Sequence, residues 1–203
     1  MTKPSKKQRR KDHDCWRLEG FPSFTYDDLG QDVIIDVALG RTTIVGSPDV
    51  DIFTNIVNVE GGAGDDTLLG NDGERQEFFS SRGDDFIDGR GTGERGDEDW
   101  LIYHETAPET ATDAERAVVV DFSEGTATGM LAGTDTFINI EAVRSSRADD
   151  RLIGSDQEYE QFQPMAGSDT VDGGAGRDRI SYSFEDNRGG TQAIHDRARG
   201  PRK

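Results

Sequence analysis

Two nine-residue stretches carry the side chains best suited to chemistry. Gly61-Gly62-Ala63-Gly64-Asp65-Asp66-Thr67-Leu68-Leu69 and Gly173-Gly174-Ala175-Gly176-Arg177-Asp178-Arg179-Ile180-Ser181 both read Gly-Gly-x-Gly-x-Asp-x-U-x, with U a large apolar residue. A turn that wraps its backbone around a cation must aim carbonyls inward and pass through positive φ, which glycine does without steric cost. A hard divalent ion such as calcium takes about 6–8 oxygens from carboxylates and carbonyls together. The Asp at position six supplies charge on a short side chain. The apolar residue two places later opens a short strand and points into a thin core.

Degraded copies flank the complete ones. Ser80–Asp88 keeps Gly83, Asp85 and Ile87; Pro164–Asp172 keeps Gly167, Asp169 and Val171; Ser145–Ile153 keeps Asp150 and Leu152. Asp99 falls off this register, and Gly70–Phe78 carries Arg75 where Asp is wanted, a turn expected to bind nothing. Asp66 and Asp85 are 19 residues apart, as are Asp150 and Asp169, where two ideal nonapeptides would give about 18. Each pair can stack on one edge with a one-residue bulge between. Asp178 lies nine beyond Asp169 and so belongs to the opposite edge. The expected side-chain ligands are Asp66, Asp85, Asp150, Asp169 and Asp178. Gly61, Gly62, Gly64, Gly83, Gly167, Gly173, Gly174 and Gly176 are expected to supply carbonyls or the turn shape.

The elements that must hold these turns are duplicated. Phe53-Thr54-Asn55-Ile56 recurs as Phe137-Ile138-Asn139-Ile140, and Leu68-Leu69-Gly70 as Leu152-Ile153-Gly154, both 84 residues later. Asp36 and Gly40 recur as Asp121 and Gly125 at an offset of 85. The expected organisation is a basic segment 1–31, a first repeat unit 32–116, a second 117–187 and a basic tail 188–203. Neither unit has the apolar residues to close its own core, so the two should form one solenoid. Ala117–Phe122 and Thr136–Ile140 alternate and are rich in β-branched residues, which reads as strand. Asn55 and Asn139 either stack as an amide ladder or end a strand. Ser183–Ile194 looks like the lead-in to a third copy, so the chain reads as a fragment of a longer array.

Charge and composition narrow the function. Only 32% of the residues are hydrophobic and the formal net charge is −18. The first 20 residues and the last 16 hold 12 of the 23 basic side chains, leaving residues 21–187 with 11 basic and 37 acidic ones. Such a surface repels nucleic acid and anionic membranes, and a compact state of that charge needs bound cations. The basic termini are expected to be disordered. Cys15 stands alone, so no internal disulfide forms. No stretch is apolar enough to span a membrane.

The nonapeptides resemble the calcium-binding repeats of the repeats-in-toxin (RTX) proteins. The likeness covers about residues 32–182. It implies an all-β fold, a parallel β-roll or β-solenoid in which carboxylates from successive turns share Ca2+. It implies an extracellular, secreted protein and export through a type I exporter, although the basic tail does not resemble the C-terminal signal such exporters read. No catalytic constellation is present: His104-Glu105 lacks the second histidine of a zinc protease helix, and no Gly-x-Ser-x-Gly elbow occurs. The expected role is therefore calcium binding by a module that folds on the ion, not catalysis. The alternatives are a non-catalytic scaffold fragment of a larger secreted enzyme or adhesin, and a calcium-independent structural β-helix. Arg82-Gly83-Asp84 and Arg95-Gly96-Asp97 spell an adhesion tripeptide, but both fall in the repeat frame.

Overall fold

The computed structural model describes residues 17–18, 21–26, 29–91, 98–103, 110–182 and 195–196. The expectations for disordered termini, for a third lead-in after Ser183, for His104 and for Arg95–Asp97 lie outside the described residues.

The chain winds between two sheets, of eight and eleven described strands. The eight-strand sheet stacks Phe21–Thr25, Asn58–Glu60, Glu77–Phe79, Trp100–Ile102, Ala142–Arg144, Gln161–Gln163 and Arg179–Ile180 in parallel, with Arg17–Leu18 antiparallel at its start. Facing it, Val33–Asp36, Thr67–Leu69 and Phe86–Asp88 run in parallel, as do Val118–Asp121, Arg151–Ile153, Thr170–Asp172 and His195–Asp196. This is a β-roll, as the resemblance implied.

Most strands are three residues long, because three suffice to send one side chain inward. Val59, Phe78, Leu101, Val143 and Phe162 line one wall of the core, and Ile35, Leu68, Ile87, Leu152 and Val171 the other; each is almost fully buried. Each such side chain contributes about 1.5–3 kcal/mol by leaving water. The core is two side chains thick, which explains how a chain with so few apolar residues folds. A second cluster of Phe79, Trp100, Ile102 and Ala142 is also buried, and the guanidinium groups of Arg75 and Arg144 lie 5.1 and 5.5 Å from the Trp100 ring.

Two antiparallel meanders interrupt the parallel stack, a departure from a uniform roll. Val33–Asp36, Arg41–Ile44 and Val50–Ile52 form the first. Val118–Asp121, Thr126–Gly129 and Gly133–Ile138 form the second. Each first hairpin closes at a glycine with positive φ, Gly40 (59°) or Gly125 (63°). The carbonyl of that glycine accepts from Phe53 N (2.9 Å) or Phe137 N (2.8 Å). Asn55 (φ 58°) lies three residues past the third strand of the first meander, and Asn139 (φ 55°) directly follows that of the second. Asn139 thus ends a strand, and both asparagines sit in the left-handed region, which Asn tolerates better than most residues. Asn139 Nδ2 donates to Asp88 Oδ1 at 2.8 Å.

The second meander lies inside the stack. Its strand Gly133–Ile138 pairs in parallel with Phe86–Asp88, and its strand Val118–Asp121 with Arg151–Ile153. Between these flanking coils the larger sheet inserts three strands where the smaller inserts one, Trp100–Ile102. The first meander sits at the end of its sheet, with Val50–Ile52 outermost. Among the described residues no helix is long and apolar enough to cross a membrane.

Candidate metal centre

The turns fall on two edges. First-edge turns carry the chain from the smaller sheet to the larger; they are residues 61–66, 80–85, 145–150 and 164–169. Second-edge turns return it and include 70–76, 154–160 and 173–178. A coil of three, six, three and seven residues gives the 19-residue spacing, so the extra residue lies in the second-edge turns.

On the first edge the carboxylates form a ladder. Asp66 Oδ1 accepts from Val33 N (2.7 Å) and its Oδ2 from Gly62 N (2.6 Å). Asp85 Oδ1 accepts from Asp66 N (2.8 Å) and its Oδ2 from Ser81 Oγ (2.9 Å). Asp135 continues the row, taking Asp85 N (3.2 Å) and Tyr103 Oη (2.9 Å). Beyond the second meander the pattern restarts. Asp150 Oδ1 accepts from Val118 N (2.8 Å) and Ser146 Oγ (2.7 Å), and Asp169 Oδ1 from Asp150 N (2.9 Å). The structure thus joins Asp66 to Asp85 and Asp150 to Asp169.

An outer row runs beside this one in the opposite sense. Asp32, Asp65 and Asp84 each accept, through Oδ1, an N–H from the following coil: Asp65 N (3.0 Å), Asp84 N (2.9 Å) and Thr134 N (2.8 Å). Asp149 takes Ser168 N at 2.7 Å. Each Asp-Asp pair therefore reaches both ways, the first residue to the coil after and the second to the coil before. Asp84 of the adhesion-like tripeptide is thereby tied into the turn.

The glycines allow the coils to approach. Gly83 and Gly167 sit at φ 117° and 125°, where a side chain is strained. A Cβ at either would run into the carbonyl oxygen one coil back, of Gly64 and Ala148 respectively. Gly61 faces the Asp66 carboxylate, Gly62 the carbonyl of Leu29 and Gly64 the carboxylate of Asp32.

Gly173, Gly174, Gly176 and Asp178 lie on the second edge, away from the other four aspartates. Their turn joins a different ladder. Asp99 Oδ1 accepts from Gln76 N (2.7 Å), and Glu141 Oε2 from Asp99 N (3.1 Å). Ser155 N and Oγ donate to Glu160 (2.9 and 2.6 Å). The ladder residue of the 70–76 turn is Gln76, fully buried, while Arg75 turns out to pair with Glu77.

Burial and crowding move the carboxylates. Burial raises Asp85 and Asp150 to about 6, and burial together with the Asp85 charge raises Asp135 to about 7. Asp66, Glu141 and Glu160 are also raised, chiefly by burial. Like charges stacked coil upon coil are held together against repulsion, which a cation between them would relieve.

The donor set fits calcium in kind: carboxylates and main-chain carbonyls, with no thiol or imidazole in the turns. Asp150 Oδ2 is buried without a hydrogen bond. Among the described residues no three acidic, His or Cys side chains converge on one point. Any ion held here must draw on backbone oxygens, as glycine-rich turns permit.

Sequence reasoning missed Asp135, Asp99, Glu141, Glu160 and the outer-row aspartates. Asp135 was legible: it recurs from Asp51 at the same offset of 84. Tyr26 Oη donates to Asp51 Oδ2 (2.7 Å) as Tyr103 Oη does to Asp135 Oδ2 (2.9 Å).

The family model described as RTX calcium-binding nonapeptide repeat (4 copies) matches residues 58–74 and 165–187. These spans contain both complete nonapeptides. No curated protein matches the chain.

Proposed function

We propose, for what is by its repeats an RTX calcium-binding protein, that calcium drives the folding of this β-roll and that the folded module acts as a secreted scaffold without catalysis of its own. The carrying observation is the first-edge ladder, in which carboxylates raised towards neutrality are stacked on turns whose carbonyls face the next coil. Asp66 and Asp85 would hold one ion with carbonyls of Gly61, Gly62, Gly64 and Gly83. Asp150 and Asp169 would hold another with Gly167. Asp178, with Gly173, Gly174 and Gly176, would serve the second edge. Calcium supplies positive charge there and oxygen-directed bonds that lock the turns.

Without calcium, self-repulsion and glycine entropy favour the open chain. Each occupied site stabilises the fold by about 2.7 kcal/mol when free calcium is about 100 times the dissociation constant. Domain limits follow the repeat: 32–116 and 117–187 as two units, with 1–31 and 188–203 outside the roll. Secretion into calcium-rich surroundings suits a module that must stay unfolded beforehand. A second reading, a calcium-independent solenoid, draws on the backbone N–H groups that the same aspartates already satisfy.

The test is a calcium titration of chelated protein followed by far-UV circular dichroism and Trp100 fluorescence. A disordered-to-β transition that equal magnesium does not reproduce is expected. A β spectrum indifferent to chelator would sink the calcium-driven reading and leave the structural solenoid.

A further inference from the structure

We infer that residues 52–54, which continue the strand Val50–Ile52, form a docking edge for a second copy of this chain, which adds its strand Thr170–Asp172 there in parallel, head to tail. The template is the junction already inside the molecule. There Phe86–Asp88 of the first repeat pairs with Thr136–Ile138 of the second. Thr136 N donates to Asp85 O (2.8 Å) and Gly89 N to Ile138 O (3.1 Å). Side chains seal it: Asp135 accepts from Asp85 N, and Asn139 donates to Asp88.

Both halves of this junction recur at the ends of the molecule. Shifted by 84 residues, Asp85, Asp88 and Gly89 become Asp169, Asp172 and Gly173; Asp135, Thr136 and Asn139 correspond to Asp51, Ile52 and Asn55. The local geometry recurs too. Phe53 N binds Gly40 O as Phe137 N binds Gly125 O, and Asp51 holds Tyr26 as Asp135 holds Tyr103. Phe21–Thr25 pairs with Asn58–Glu60 as Trp100–Ile102 pairs with Ala142–Arg144. Among the described residues the first repeat therefore has its neighbour on the smaller sheet but none beyond Val50–Ile52 on the larger.

The open strand looks the part. Ile52 is 74% exposed and Val50 46%, and among the described residues no strand pairs with the outer side of Val50–Ile52, an apolar edge of the kind that templates strand addition. A second copy fits it because Asp169, Asp172 and Gly173 keep the donors and acceptors of the internal junction. At the other end, the two-residue strand His195–Asp196 lies against Thr170–Asp172, so docking displaces it. The contact is heterologous, and repetition gives open chains rather than a closed dimer.

The internal register Thr136 to Phe86 places Ile52 opposite Thr170 of the other copy. Full-length Ile52→Cys and Thr170→Cys, each with Cys15→Ser, are mixed under mild oxidation with and without calcium, and circular dichroism is read on the same samples. A 52–170 disulfide in the mixture, absent from either variant alone, is expected wherever the β signal is present. Sedimentation of the unmodified chain should then show species growing with concentration, and Ile52→Pro, which removes only an edge N–H, should keep the β spectrum and lose them. Self-linking of Ile52→Cys would show two like edges meeting and overturn the proposal. So would a folded chain that stays monomeric throughout. A chain without β signal in calcium but with it in chelator counts against calcium-driven folding and still tests docking; no β signal in either condition removes the edge itself.

Discussion

Along the first edge the turns are six residues long, and Asp66, Asp85 and Asp135 hand backbone hydrogen bonds from coil to coil. Along the second, two turns stretch to seven and the same structural place is held by Gln76, Asp99, Glu141 and Glu160. Both edges solve the same problem, since a stack of short turns leaves buried N–H groups that side-chain oxygens must accept. They differ in charge and spacing. The first keeps short carboxylates in two adjacent rows beside glycine carbonyls, which suits a hard cation. The second mixes amide, short acid and long acid, which satisfies the backbone although Glu141 and Glu160 still feel neighbouring acids. Acceptor ladders are thus general to the roll; glycine-led aspartates recur along the first edge and appear on the second only in the turn 173–178.

The sharpest way to break this contrast is Asp85→Ala. It leaves the Asp66 N–H and the Ser81 hydroxyl without their acceptor and removes a proposed ligand, with an expected loss of about 2–5 kcal/mol. The calcium midpoint of the dichroism signal should rise at least tenfold, and Asp85→Asn should recover part of the stability but not the calcium response. Gly83→Ala comes next, at about 2–3 kcal/mol, because φ 117° and the Gly64 carbonyl both oppose a Cβ. Gly73→Ala, at φ 78° with open space around it, should cost only about 1 kcal/mol, both glycine variants being read by urea unfolding in saturating calcium.

A pH series sharpens the comparison without mutation. Asp85, Asp135 and Asp150 hold their protons more tightly folded, at about 6–7, than an unfolded Asp at about 3.9. Their contribution is fully present below the unfolded value and is lost as pH rises through 6–7. Chelated protein should therefore show more β signal at pH 5 than at pH 8, and the calcium midpoint should rise as pH falls because protons compete for the same oxygens. The smallest effect belongs to Asp99→Asn. The amide oxygen still accepts from Gln76 N, so the calcium midpoint should move less than about twofold. A shift as large as that of Asp85→Asn would make the two edges equivalent.

Much of this was legible because the repeat writes its own period. Paired glycines mark the turns, Leu68 and Val171 mark the inward positions, and the 19-residue spacing foretold one bulge per coil. The meanders were harder to read. Val33–Asp36 and Val118–Asp121 have strand sequences, but nothing local says that the chain turns back antiparallel after them; Gly40 and Gly125 matter only once their carbonyls meet Phe53 and Phe137. The second-edge ladder escaped for a similar reason. Gln76 and Glu160 correspond at the 84-residue offset, but an amide stands there in one copy and an acid in the other, and Asp99 and Glu141 are tied to them only by their place in the stack.

The second meander has one more consequence. Between the coil of Phe78 and Ile87 and the coil of Val143 and Leu152, the smaller sheet advances two strand spacings and the larger four. At about 4.8 Å per spacing, one wall of the roll is roughly 10 Å longer than the other over that stretch. The insertion acts as a keystone: it turns the stack through an angle, so an array of such units would follow an arc, with the meanders on its convex side.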